Sequence, residues 1–163
     1  MAISPKIDDV FAMAEHIERN GARFYREMAA DERIDSEVRE LLLELAAMED
    51  DHEKQFAEMR HELAERDTAE PAFSEEGDIV SYLHVVTDNW TLDNKNVSSA
   101  PAGKRKPLVD VLHTAIELEK DSIMFYLGLK EMLAEESDRR RVDDIIKEEM
   151  RHIVDLNGKL ETI

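Results

Sequence analysis

Glu49-Asp50-Asp51-His52 and Glu149-Met150-Arg151-His152 are the two stretches from which this chain is read. Each is a Glu-x-x-His pair, and each follows an isolated glutamate, Glu18 in the first half and Glu119 in the second. The two halves repeat around them. Ala14, Glu18, Phe24 and Tyr25 return as Ala115, Glu119, Phe125 and Tyr126, a shift of 101. Glu49 and His52 return as Glu149 and His152, a shift of 100. At about 100° per residue, positions i and i+3 share one helix face, about 4.5 Å apart along the axis. One helix can therefore aim a carboxylate and an imidazole at the same point.

Two such helices, with one glutamate from each of two others, supply four carboxylates and two imidazoles. Four negative charges balance two divalent cations. The mixed oxygen and nitrogen set suits iron or manganese, and no thiolate is present to favour a softer choice. This is the ligand pattern of di-iron and di-manganese carboxylate helical bundles. The competing reading is a bundle with charged faces, in which Glu-x-x-His arises by chance in a glutamate-rich chain. One such pair would be weak ground. Two, each in register with an earlier glutamate on the same apolar stripe, favour a metal site.

The stripes come from an alternating 4-3 spacing. Ser4-Pro5 reads as a helix start. Ile7, Phe11, Ala14, Glu18, Gly21, Tyr25 and Met28 then mark a first helix running to about Asp31. A turn around Ile34-Asp35-Ser36 leads into a second, with Val38, Leu42, Leu45, Glu49, His52, Phe56, Met59 and Leu63, ending near Arg66. Residues 67 to 106 carry the turn-formers Pro71, Gly77, Asn89, Asn94, Asn96, Pro101 and Gly103. Ser74-Glu75-Glu76 could cap a short helix through Ile79, Tyr82, Leu83 and Val86. A connection this long suggests a crossover between helices two and three. The third helix starts near Pro107, with Leu108, Leu112, Ala115, Glu119, Ser122, Tyr126 and Leu129 on its stripe. Ser137 is a suitable cap for the fourth, with Val142, Ile145, Glu149, His152, Leu156 and Leu160, and Gly158 marks fraying near its end. The expectation is an all-α four-helix bundle in one domain spanning residues 1–163.

Composition agrees. The 163 residues are 42% hydrophobic and 37% charged, with only 5 Gly and 4 Pro, which suits long helices with charged outer faces. A net charge of −18 argues against nucleic acid or an anionic membrane surface as partner. The absence of cysteine excludes a built-in iron centre held by four thiolates. No basic start followed by an apolar run is visible, and no stretch approaches the roughly 20 apolar residues of a membrane span, so a cytoplasmic protein is expected.

Taken together, Ile17-Glu18-x-x-Gly21-x-x-Phe24-Tyr25, Glu49-x-x-His52, Glu119-Lys120-Asp121-Ser122-Ile123-x-Phe125-Tyr126 and Glu149-x-x-His152 resemble the rubrerythrin branch of the ferritin-like superfamily. The resemblance covers all four expected helices and leaves out residues 67 to 106. It implies a ferritin-like four-helix bundle with a left-handed crossover, and two iron ions that react with hydrogen peroxide or oxygen. Manganese or zinc is possible in their place. By position, it implies Glu18 and Glu119 as terminal ligands, Glu49 and Glu149 as bridges, and His52 and His152 on one metal each. Two departures stand out. Typical rubrerythrins carry a rubredoxin domain, which these residues do not contain, so the electron donor is expected to be a separate protein. They also carry a further glutamate one turn after the third-helix ligand, where this chain has Ser122, which makes the site more symmetric.

Tyr25 and Tyr126 lie seven residues after Glu18 and Glu119, on the same stripes. Each hydroxyl is expected to hydrogen-bond a bridging carboxylate or a bound ligand. Glu148 and Asp155 flank the last Glu-x-x-His pair and could orient an imidazole or be solvated charges. His16, His61, His84 and His113 fall off the stripes and read as surface or linker residues. Trp90 is expected to pin the crossover to the bundle or a partner subunit. Lys104-Arg105-Lys106 and Arg139-Arg140-Arg141 read as solvated helix starts, with a docking patch for an acidic donor protein as the other option. Ile79, Tyr82, Leu83, Val86 and Val97 have no obvious place in a four-helix core, so a homodimer or higher homo-oligomer is expected. Besides peroxide or oxygen reduction, the pattern leaves open an iron-handling ferroxidase and a structural bundle with a non-redox metal.

Overall fold

The 4-3 spacing becomes four long helices in the computed structural model, which describes residues 7–66, 79, 81–86 and 107–163. They are α1 (Ile7–Ala29), α2 (Ser36–Glu65), α4 (Leu108–Glu131) and α5 (Glu136–Leu160). A short helical segment, α3, contains residues 81–86. No strand occurs among the described residues. The helix ends follow local chemistry. Asp8 and Asp9 sit in the first turn of α1, where the helix dipole favours negative charge. Arg39 reaches back to the carbonyls of Ala29, Asp31 and Ile34 at 3.1, 3.3 and 3.2 Å, satisfying groups that the end of α1 and the following turn leave open. Asp35 caps α2 by accepting from the Val38 amide at 2.9 Å.

The start of α5 differs from expectation. Its N-cap is Glu135, with no side-chain cap bond, and Ser137 lies within the first turn. Two other contacts fix this start. Asp138 is buried and accepts from Arg66 at 2.6 Å, and Arg139 donates to the Leu133 carbonyl at 2.6 Å. Gly158 lies near the end of the helix, which stops at Leu160.

Helix directions follow from contacts along their lengths. Arg60 meets Asp8 at 2.6 Å and Arg19 meets Glu53 at 2.6 Å, so α2 runs antiparallel to α1. Arg141 meets Glu62 at 2.7 Å and Lys159 meets Glu37 at 2.8 Å, so α5 runs antiparallel to α2. Tyr25 bonds Glu119 and Tyr126 bonds Glu18, so α4 runs antiparallel to α1. It follows that α2 and α4 point the same way, and the chain between them must return along the bundle. The crossover thus follows from helix direction. Its handedness lies outside the described residues, as do Ser4-Pro5, Ser74-Glu75-Glu76, Trp90, Val97 and Lys104-Arg105-Lys106.

Part of the crossover packs on its own bundle. Leu83 is buried, and Ile79, Tyr82 and Val86 lie partly buried against the same cluster as Phe125 and Leu129. Tyr82 donates to the Met124 carbonyl at 2.6 Å. Close approach depends on Gly128, where a Cβ would lie 2.8 Å from both Leu83 and Tyr82. Ile79, Tyr82, Leu83 and Val86, four of the five apolar residues that suggested a subunit interface, are therefore seated within the chain itself. No helix among the described residues is long and apolar enough to cross a membrane.

Among the described residues the apolar interior forms two clusters. One gathers Phe11, Phe56, Tyr126, Leu129 and Ile145. The other gathers Tyr25, Leu42, Leu45, Leu112 and Leu156. The Glu-x-x-His residues and their partner glutamates belong to neither.

Candidate metal centre

Glu18, Glu49, His52, Glu119, Glu149 and His152 are all buried, none more than 3% exposed. Each comes from the apolar stripe of its helix, so bundle packing turns all six inward. They converge as two groups of four: Glu18, Glu49, His52 and Glu149, and Glu49, Glu119, Glu149 and His152. Within each group the ligating atoms lie within 4.8 Å of one another. Glu49 and Glu149 belong to both. Glu149 stands between the imidazoles, with Oε1 2.9 Å from His52 Nδ1 and Oε2 3.0 Å from His152 Nδ1. His52 Nδ1 is 3.5 Å from Glu18, and His152 Nδ1 is 3.3 Å from Glu49 and 3.4 Å from Glu119. The two rings face each other with centroids 5.8 Å apart.

These close approaches do not amount to satisfied hydrogen bonding. Glu18 Oε2, Glu49 Oε1, both Glu149 oxygens and the Nδ1 atoms of His52 and His152 are buried without a hydrogen-bond partner. Each such group costs about 1–3 kcal/mol, and more when charged. A convergent set of oxygen and imidazole donors left open in this way suits two cations bound by oxygen and nitrogen.

The electrostatics of the six groups point the same way. Burial raises Glu18, Glu49 and Glu149, helped by neighbouring carboxylates, with Glu149 pushed up to about 8. Burial also acts on Glu119, but the close approach of His152 and Glu149 outweighs it and holds this carboxyl below its usual range. Burial opposes charge on His52, yet Glu149 and Glu18 overcome it and push the imidazole up to about 12. His152 is raised further by Glu119, Glu149 and Glu49 against the same opposition. Metal binding by these groups would therefore release protons.

The tyrosines differ from expectation. Tyr25 donates to Glu119 and Tyr126 to Glu18, so each bonds an isolated glutamate on the opposite helix, not one shared by both groups. The antiparallel run of α1 and α4 is the reason: seven residues along one helix matches seven back along the other. Both hydroxyls are held well above their ordinary pKa, by burial first and by these carboxylates second, so they remain donors.

Beside the site, between α1 and α4, lies a small cavity bordered by Asn20, Gly21, Glu49, Glu119 and Ser122, with room for about one water molecule. Gly21 makes this arrangement possible, since a Cβ there would lie 2.8 Å from Glu49 Oε2. Ser122 turns its hydroxyl back to the Leu118 carbonyl at 3.0 Å, so it offers the cavity no carboxylate. Asn20 is buried and accepts from Arg23 at 2.9 Å.

Sequence reasoning missed the part played by Gly21. Its place three residues after Glu18, on the ligand stripe, was the available signal. Glu148 orients an imidazole, meeting His52 Nε2 at 2.8 Å, whereas Asp155 is exposed. His16, His61, His84 and His113 are exposed. The run at 139–141 is engaged within the chain: Arg139 with the Leu133 carbonyl, Arg140 with Glu136 at 3.3 Å and Arg141 with Glu62.

The rubrerythrin family model matches residues 9–158. The chain belongs to the rubrerythrin family. As a rubrerythrin-family chain it is also similar to a solved structure from Thermotoga maritima, described as a ferritin-like diiron-carboxylate protein. The identity is 28% and the TM-score 0.68, with 99% of this chain and 98% of the other covered. A comparison with curated proteins finds no match. The fold is ferritin-like, and this rubrerythrin-family bundle carries a buried Glu/His cluster able to bind metal.

Proposed function

We propose that this chain binds two iron ions among its four long helices and reduces hydrogen peroxide or oxygen, with electrons from a separate donor protein. The observation that carries the reading is the pair of buried four-residue donor groups sharing Glu49 and Glu149. Glu18 and His52 would hold one ion, Glu119 and His152 the other, and Glu49 and Glu149 would contact both. Four carboxylates cancel the charge of two divalent cations once both imidazoles are neutral, so the buried layer carries no net charge. When bound, two ferrous ions would supply two electrons, one each, enough with two protons to take hydrogen peroxide to two waters, or oxygen as far as peroxide.

The chain's own residues do the rest. Tyr25 and Tyr126 fix the outer carboxylates through hydroxyls that stay protonated. The cavity by Gly21 and Ser122, with room for about one water molecule, would be the side from which peroxide or dioxygen approaches. The surrounding apolar clusters keep bulk water out. The cytoplasmic location expected from the sequence belongs to the same reading. So does a homo-oligomer: Met124, Leu127, Met150 and Val154, on α4 and α5, are 45, 43, 51 and 68% exposed, apolar area of the kind assembly covers. Light scattering at micromolar concentration tests assembly, with a monomer refuting it.

The decisive experiment is anaerobic Fe(II) loading followed by peroxide, with absorbance followed in the near-ultraviolet. Two irons per chain, fast oxidation and return on adding a reductant are expected. Growth of a ferric core with many irons per chain would shift the reading to storage. Tight zinc with no redox response would shift it to a structural metal.

A further inference from the structure

The repeat that places the ligands breaks at a position next to them. Glu148 directly precedes Glu149, while the matching residue before Glu49 is Met48. The imidazoles register the difference. Both rings turn Nδ1 toward the donor groups, so both turn Nε2 away. His52 Nε2 meets the Glu148 carboxylate at 2.8 Å. His152 Nε2 is buried and has no hydrogen-bond partner. An N–H held by a carboxylate fixes ring orientation and tautomer, keeps the lone pair on the ligating nitrogen and raises its basicity. His52 has this support and His152 does not.

The cavity adds an independent asymmetry. It is bordered by Glu49 and Glu119, and Glu119 belongs only to the group that contains His152. Of the six candidate ligands only Glu49 and Glu119 border it, so the asymmetry is carried by Glu119 against Glu18.

We propose that the two ion positions are unequal: the Glu18–His52 position binds metal more tightly, with Glu148 as its positioning residue, and the Glu119–His152 position, beside the cavity, is the weaker and exchangeable one. The inference rests on the metal reading above and adds to it a division of labour. One ion is anchored. The other faces incoming small molecules and leaves first.

The test is titration of the full-length metal-free protein with cobalt(II) alone, in competition with a chelator. The wild type is expected to bind two ions in two steps, separated roughly 10- to 100-fold in affinity, the usual effect of losing such a carboxylate partner. Glu148→Met should weaken the tighter step by about that factor and merge the two. Glu148→Gln, which keeps the shape but not the charge, should fall between. Met48→Glu, which offers His152 the partner it lacks, should tighten the second step. His152→Ala should keep the tighter step and His52→Ala should lose it. Glu148 is 38% exposed, so its replacements should fold, and far-ultraviolet circular dichroism checks this. Two steps of equal affinity in the wild type would overturn the proposal. So would equal weakening of both by Glu148→Met, or a second step unmoved by Met48→Glu. Failure to bind metal at all would instead remove the proposed function itself. Two equal ions that still react with peroxide would remove only this inference.

Discussion

Replacing Gly21 by Ala adds one methyl group and sets two effects against each other. In a helix interior, Ala is favoured over Gly by roughly 0.5–1 kcal/mol. Against this, the new Cβ would lie 2.8 Å from Glu49 Oε2 and 3.3 Å from its Cδ. Ordinary contact begins at 3.4 Å, so the carboxylate end must retreat by about 0.6 Å. For the fold this is inexpensive, because the obstructing atom is the end of a side chain with rotatable bonds. Overpacking at about 1 kcal/mol, the low end of its range, nearly cancels the helix gain. For metal binding the same movement is severe. Ligand distances hold within about 0.2 Å, and Glu49 belongs to both donor groups. Gly21→Ala is therefore expected to fold normally, with a metal-free melting temperature within about 4 °C of wild type. Its metal content, after gel filtration against a competing chelator, should fall from two ions per chain to below one. Calorimetry and elemental analysis read the two quantities separately. A variant that gains stability and keeps both ions would refute the reasoning, because Glu49 could not then occupy the space beside Gly21.

The other glycines in long helices give contrasting outcomes. Gly128→Ala should cost roughly 1–3 kcal/mol in chemical denaturation, because Tyr82 and Leu83 lie at 2.8 Å and a ring cannot yield as a carboxylate end does, and it should leave metal content unchanged. Gly158→Ala, with nothing within 4 Å, should gain roughly 0.5 kcal/mol. Among the ligands, Glu49→Ala and Glu149→Ala should each abolish two-metal binding, and His52→Ala and His152→Ala should each weaken mainly one ion. Glu117→Ala is the control, since that residue is exposed beside Lys120, and loss of metal there would sink the assignment. Glu15→Ala is a poorer control than its off-stripe position suggests, because Arg60 holds Glu15 at 3.2 Å with its side chain only 15% exposed. Stability of the metal-free protein should fall between pH 6 and 8. Glu149 binds its proton more tightly folded, up to about 8, than unfolded near 4.5, so its contribution is full below 4.5 and lost as pH rises through 8. His52, raised from 6.5 to about 12, acts in the same direction above 6.5. The slope should be on the order of 1 kcal/mol per pH unit, smaller once metal is bound, and denaturation with chelator present checks it.

The sequence by itself determined which residues could form the site. Spacing of three, four and seven fixes the face of a helix on which a side chain stands. Glu18, Gly21 and Tyr25 therefore share a face, as do Glu49 and His52, whatever packs against them. The internal repeat then gave the four elements a common level. Cap positions were less legible. Ser137 has the right chemistry, but Asp138 is drawn to Arg66, a residue distant in sequence, and that contact helps set where α5 begins. The fit of Ile79, Tyr82, Leu83 and Val86 against α4 also lay beyond the sequence, because it needs the gap that Gly128 leaves in a neighbouring helix. Only the tertiary structure decided which side chain meets which. Glu149 divides its two oxygens between His52 and His152, Tyr25 and Tyr126 reach the outer glutamates of opposite helices, and Glu148 supports His52 while His152 has no such partner. The physical reason is that periodicity specifies rotation about a helix axis. The direction and axial register of one helix against another depend on packing and ion pairs between residues far apart in the chain.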